Sequence, residues 1–137
     1  GSAATEEASS ATSSNAQVKS PAVRAILHLK WALFLQKASQ HDKAEQHFRS
    51  SLELSQSAKG YFGLGVSLAA LRRRVEAVEA FEAALRRAPH MTGAHVNLAG
   101  MFLALQRYTE AEQHCRMALE LDPCAREAVM NLASALR

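Results

Sequence analysis

AKGYFGLGVSLAALRRRVEAVEAFEAALRRAPH, residues 58–90, is the stretch on which the fold turns. Tyr61, Leu64, Leu68 and Leu71 fall at helical spacing, and Val78, Phe81 and Leu85 do so again after a basic break at 72–74. Small residues stand at Gly65, Ala77 and Ala84. Two antiparallel helices need such residues where their backbones approach closely. Pro89 cannot continue a helix, and it biases the residue before it away from helical geometry. The stretch reads as a helical hairpin with a proline stop.

Outward from it, the pattern returns. Leu64 recurs as Leu98 and Leu132, Ala77 as Ala111, Ala84 as Ala118, Leu85 as Leu119, Pro89 as Pro123 and Asn97 as Asn131. A fixed period of this length marks an array of supersecondary units. Stacked units make an extended surface, and such surfaces mostly bind other chains. A weaker upstream copy carries Trp31-Ala32, Leu35, Ala44 and Phe48, with Ser51 for the small Ala and Gln56 for Pro. That copy is one residue short near its end. A last copy begins at Arg126 and stops after its first helix.

These landmarks resemble the tetratricopeptide repeat. Its aromatic, Leu-Gly, Ala, Phe, Ala and Pro positions are met by Tyr61, Leu64-Gly65, Ala77, Phe81, Ala84 and Pro89. The next unit matches through Leu98-Ala99, Phe102, Tyr108, Ala111, Ala118 and Pro123, and departs at His95 and Cys115. The resemblance implies an all-α solenoid of antiparallel helix pairs, about three full repeats plus one terminal helix. The expected domain covers 20–137, with units at about 25–57, 58–91, 92–125 and a partial 126–137. Residues 1–19 are rich in Ser, Ala and Thr with little apolar bulk, and read as a disordered tail beginning with a Gly1-Ser2 cloning remnant. Order is expected from Ser20 as N-cap and Pro21 at the first helical position.

The chain's 137 residues fit one domain, and 48% apolar content suffices for a core. No apolar run approaches the roughly 18 residues of a membrane span. The first helix is apolar nearly all round (Val23, Ile26, Leu27, Leu29, Trp31, Leu33, Phe34, Leu35), which predicts cover on every side. The helix from Arg126 carries Val129, Met130, Leu132 and Leu136 without a following partner. Either the chain is cut from a longer array, as a final helix ending mid-motif favours, or these terminal helices pair with a second copy in a dimer.

Cys115 takes the place of Phe81 and reads as core, and Cys124 falls in a turn. Two unpaired thiols and the lack of a signal core point to a reducing, cytoplasmic location. The histidines lack the i, i+4 spacing of a metal pair and no CxxC occurs, so no metal or cofactor is expected. Glu76, Glu79 and Glu82 share a face flanked by arginines and read as solvated surface. Walker-type and Gly-x-Ser-x-Gly motifs are absent, and no enzyme is expected. The net charge of +3 is local: residues 58–90 carry six Lys/Arg against three Glu, whereas 92–125 carry two against four acids. Cations in a turn and at a helix C-terminus account for most of the cluster. Without interleaved exposed aromatics, nucleic acid is not the expected partner.

The family resemblance implies a concave groove lined by the first helix of each unit. Helical phase places Leu29, Lys30, Leu33 and Gln36 there, then Lys59, Phe62, Gly63, Val66 and Ala69. Val96, Asn97, Gly100 and Leu103 follow, then Glu127, Met130, Asn131 and Ser134. Partner binding is assigned to Leu29, Leu33, Phe62, Val66, Val96, Asn97, Gly100, Met130 and Asn131. Family members that grip Hsp70 and Hsp90 C-termini use Lys and Asn, then Asn, then Lys and Arg. The matching positions here are Phe62 and Val66, Asn97, and Glu127 and Asn131. Only Asn97 fits, which disfavours that clamp. Asn97 and Asn131 are similar instead to the asparagine ladder of O-linked N-acetylglucosamine transferase arrays, whose amides hold a peptide backbone. The sequence thus predicts a non-catalytic protein-binding scaffold or adaptor. A substrate-recruiting or assembly segment of a larger enzyme, or a self-associating repeat domain, are the alternatives.

Overall fold

The computed structural model describes residues 20–135, apart from the side chains at 131, 132, 134 and 135. The expected tail at 1–19 lies outside the described residues. Seven helices and no strand occur among the described residues. These are α1 (Pro21–Lys37), α2 (His41–Leu54), α3 (Ala58–Ala70), α4 (Arg74–Arg87), α5 (Thr92–Ala104), α6 (Tyr108–Leu121) and α7 (Arg126–Ala135). None is long and apolar enough to cross a membrane.

Each helix packs on the next, giving three antiparallel pairs and a seventh helix. The first helices of successive pairs also touch one another (α1 to α3, α3 to α5, α5 to α7), whereas α2, α4 and α6 make no such contacts among themselves. Helices closer on one side than the other curve the stack, with α1, α3, α5 and α7 on the inner wall. The small repeat positions lie at the crossings, where Ala32, Ala44, Ala77, Ala84, Ala99, Ala111 and Ala118 are fully buried. Ser51, in place of the small Ala, is buried too and donates its hydroxyl to the Ala25 carbonyl at 2.8 Å. Larger side chains at these points would push the helices apart.

Two aromatic rings wedge α3 between its neighbours. A Cβ at Gly63 would lie 2.3 Å from Phe48 of α2, and one at Gly65 would lie 2.7 Å from Phe81 of α4. Both rings are buried. Gly65 is thus a packing glycine, and Gly63, assigned by phase to the groove, faces the Phe48 ring.

The three hairpin turns share one geometry. Ser39, Arg72 and Gln106 adopt φ of 61°, 63° and 60°. In the middle turn the Arg72 N–H bonds the Ala69 carbonyl and the Arg73 N–H the Leu68 carbonyl, and equivalent bonds close the other two. This is the Schellman termination, with a left-handed residue just past the helix end. The missing residue of the first unit lies in its second connection: 55–57 separates α2 from α3, where 88–91 separates α4 from α5.

At the N-terminal end the structure departs from expectation. Trp31 and Phe34 stack at 5.7 Å, yet both are more than half exposed, as are Ile26 and Leu27. No helix among the described residues stands in front of α1, so only its Ala25, Ala32 and Leu35 side is buried.

Candidate functional site

The inner wall carries a cavity of about 510 Å³. Three elements build it: Phe62 from α3, Gly93, Val96 and Asn97 from α5, and Ala125, Arg126 and Glu127 at the start of α7. Its volume lies in the range that accepts a ligand group. Phe62 is half-buried, its ring 5.7 Å from that of Phe81, and a Cβ at Gly93 would meet it at 3.3 Å. The glycine therefore lets the aromatic wall close in. Val96 is buried against Ala118 and Ala128, so it forms a firm floor. Asn97 is half-buried at the lining and brings the one amide. Arg126 and Glu127 set opposite charges at the α7 edge.

Helical phase therefore named Phe62, Val96, Asn97 and Glu127, which the fold brings together at this cavity. It left out Gly93, and also Ala125 and Arg126, whose position follows only once α7 is seen to start against α5. Gly100 faces open space: a Cβ there would meet nothing within 4 Å. Met130 is well exposed on α7. The Asn131 side chain lies outside the described residues, so the ladder reading rests on Asn97.

The upstream wall is more closed. Leu29, Leu33 and Val66 are half-buried and pack against the core. The Gln36 amide, assigned to the groove, donates to the Gly63 carbonyl and to Ser67 Oγ, both at 3.0 Å. It ties α1 to α3. The inner wall is thus stitched upstream and open at the cavity downstream.

Two members of the basic cluster, Arg73 and Arg87, are engaged. Arg73 forks onto Glu76 and reaches Glu45 of the preceding unit at 2.6 Å, and Glu45 also holds Arg49. The Arg73 guanidinium holds the Glu76 carboxyl below the usual range. Arg87 bonds the Gln56 carbonyl and side-chain oxygen and lies 4.7 Å from the centre of the Tyr61 ring. It braces the shortened connection. These arginines belong to the outer seams, and the inner-wall helices carry Arg24, Lys30, Lys37, Lys59 and Arg126 as exposed cations.

Among curated proteins none matches this sequence. Solved structures do. The first TPR domain of Spaghetti (RPAP3) bound to the HSP90 peptide SRMEEVD aligns with TM-score 0.82 at 18% identity, over 84% of this chain and 92% of that one. The Arabidopsis OM64 TPR domain gives TM-score 0.82 at 19% identity, over 84% and 96%. The second TPR domain of human RPAP3, in complex with the HSP70 peptide SGPTIEEVD, gives 0.82 at 17%, over 85% and 98%. At these identities the likeness is one of fold.

Those complexes correct one expectation. An Hsp70 or Hsp90 tail was disfavoured because clamp residues are missing at fixed positions, yet domains of this same architecture hold such peptides. Groove shape comes from helix packing, which the position test did not weigh. Long cations also stand beside groove positions: Lys30 next to Leu29, Lys59 one turn before Phe62, Arg126 next to Glu127. The exclusion is withdrawn.

The family model described as tetratricopeptide repeat matches residues 29–90 and 62–125, more than half of the sequence, and the chain belongs to the tetratricopeptide repeat family.

Proposed function

We propose that this domain is a non-catalytic protein-interaction module whose inner wall receives an extended segment of a partner. The cavity lined by Phe62, Val96, Asn97 and Arg126 carries the reading. Its apolar walls suit one side chain of the segment. The Asn97 amide, both donor and acceptor, suits a peptide bond whatever its side chain. Lys30, Lys59 and Arg126 favour a segment bearing carboxylates, a class that includes the acidic HSP90 and HSP70 peptides held by the structural neighbours. In a larger assembly such a module serves as an adaptor.

The test is titration of labelled SRMEEVD, and of a version with Gln and Asn for its acids, into wild type and a Phe62→Ala/Asn97→Ala/Arg126→Glu variant. Val66 is left intact because it packs against the core. Saturable binding of the acidic peptide is expected, weakened at least about tenfold by the variant, or about 1.4 kcal/mol. Equal affinity for a variant with unchanged helical content would remove the groove as the binding surface. Failure of wild type to distinguish the two peptides would remove the acidic preference.

A further inference from the structure

Arg87 fills a place in the second unit that stands open in the third. It lies 4.7 Å from the centre of the Tyr61 ring. Its Nη2 donates to the Gln56 side-chain oxygen at 2.6 Å, its Nε to the Gln56 carbonyl at 3.1 Å, and its Nη1 to the Ala83 carbonyl at 3.3 Å. One unit on, the positions of Arg87, Tyr61, Gln56 and Ala83 are held by Leu121, His95, Pro89 and Met117. All four line one cavity of about 360 Å³, between the end of α6 and the α4–α5 connection.

The cavity is therefore the space that an arginine occupies in the unit before. Leu121 is too short to fill it. Leu121 and Met117, one turn apart on α6, stay 37% and 47% exposed. The outer helices make no contacts among themselves, so a cleft opens between successive ones over the inner helix. Across the first cleft Arg73 reaches Glu45 of α2 at 2.6 Å. In the second, Arg107 stands in the place of Arg73, but Val78 stands in that of Glu45, and Arg107 pairs with Glu110 of its own unit. Neither the plug nor the bridge recurs.

What lines the open place suits the same side chain. His95 supplies the ring in place of Tyr61, and it is held at both edges. Its Nε2 lies 3.1 Å from the Pro89 carbonyl oxygen, and its Nδ1 lies 3.0 Å from that of His114 on α6. His28 and His47 make the same pair across the first hairpin. The Pro89 carbonyl keeps a second lone pair for another donor. Glu120 lines the cavity, is exposed, and has no ion pair among the described residues. Arg116, one turn before it, is tied to Glu112. A guanidinium stacks on rings and forks onto carboxylates, and its stem covers apolar surface.

We propose that this cavity is a second binding site, separate from the inner wall, that takes an arginine side chain from a partner segment. The guanidinium stacks on His95 and pairs with Glu120, and the stem lies on Met117 and Leu121. The inner wall favours carboxylates and the outer cavity a cation, so the two faces select segments of opposite charge.

The experiment titrates N-acetylarginine methylamide, and its lysine and norleucine counterparts, into the intact isotope-labelled chain by NMR. Saturable shifts at His95, Met117, Glu120 and Leu121 are expected for arginine, weaker binding for lysine, and none for norleucine. Glu120→Gln removes one exposed charge and should weaken the arginine probe about threefold, the scale of an exposed ion pair. Leu121→Arg rebuilds the plug from within and should abolish binding. Equal affinity for lysine, shifts confined to the inner wall, or wild-type affinity in Glu120→Gln would each overturn the site. Concentration-dependent dimerisation that Glu120→Gln abolishes would make a second copy the occupant and overturn a separate partner. The wild-type and Glu120→Gln titrations decide even if Leu121→Arg does not fold.

Discussion

Gly65 and Phe81 share one packing site, since a methyl group on the glycine would stand 2.7 Å from Cε1 of the buried ring. The neighbouring units resolve the same crowding differently. In the third, Ala99 supplies the methyl and Cys115 replaces the ring, both fully buried. In the first, Ala32 keeps its methyl and the Phe48 ring lies against the next helix, in the space Gly63 leaves open.

The glycine and the ring are therefore coupled. Gly65→Ala should cost about 1–3 kcal/mol of overpacking, reduced by up to about 1 kcal/mol of helix propensity. In a Phe81→Cys background, which copies the third unit, the same substitution should be neutral or stabilising. Urea denaturation of the four species gives the cycle, and additive costs would sever the pairing.

The Schellman turns give a second expectation. Ser39, Arg72 and Gln106 hold φ near 60° at positions where glycine has no steric penalty. Arg72→Gly and Gln106→Gly should each stabilise by about 0.5–1 kcal/mol, the relief being partly offset by greater unfolded-chain entropy. Thermal melts check this, and a lower midpoint for both would argue against a strained turn.

Arg87 shows where reading along the chain falls short. The helix dipole accounts for a cation at the end of α4, but not for its reach to Gln56 and Tyr61 in the preceding connection. Replacement by Ala should cost about 1 kcal/mol, and by Lys nearly as much, because an ammonium cannot reproduce the planar fork. Full retention of the urea midpoint in Arg87→Lys would leave only charge to explain the site.

Much of the architecture was legible because each unit repeats the same small and apolar positions, so errors in one copy are corrected by the next. Ala77, Ala111 and Pro89 marked crossings and stops in sequence alone. Trp31 did not follow its register partner Leu64 into the core, because burial at a repeat position requires a preceding unit to stack against. The groove was half legible. Phase found Phe62, Val96 and Asn97 but could not show that Gln36 bonds across to Gly63, or that Leu29, Leu33 and Val66 lean into the core. The histidine pairs escaped a search along single helices, since their members lie on facing ones. The two-period step from His28 to His95 and from His47 to His114 was the available signal.

The two thiols should separate cleanly. Cys115 is buried, and burial together with Glu112 pushes its pKa up, whereas Cys124 is exposed. A thiol reagent at neutral pH should modify Cys124 promptly and Cys115 only as fast as the hairpin opens. Mass spectrometry of partly labelled protein reads the order. Equal rates in the native state would mean that α6 does not seal its inner face.

Gly100 offers a test of the groove that spares the fold. It lies inside α5, one turn beyond Asn97, and a Cβ there would meet nothing within 4 Å. Gly100→Ala should raise stability by about 0.5–1 kcal/mol through helix propensity, with little loss of peptide binding. Gly100→Trp should fold as well as wild type yet fill the inner wall next to Asn97, and SRMEEVD affinity should fall at least about tenfold, or about 1.4 kcal/mol. Bulk at an open position separates occupancy from stability, which substitutions at Phe62 cannot do because that ring also braces α3 against Phe81. If the tryptophan variant binds the peptide as tightly as wild type, the peptide runs elsewhere on the molecule.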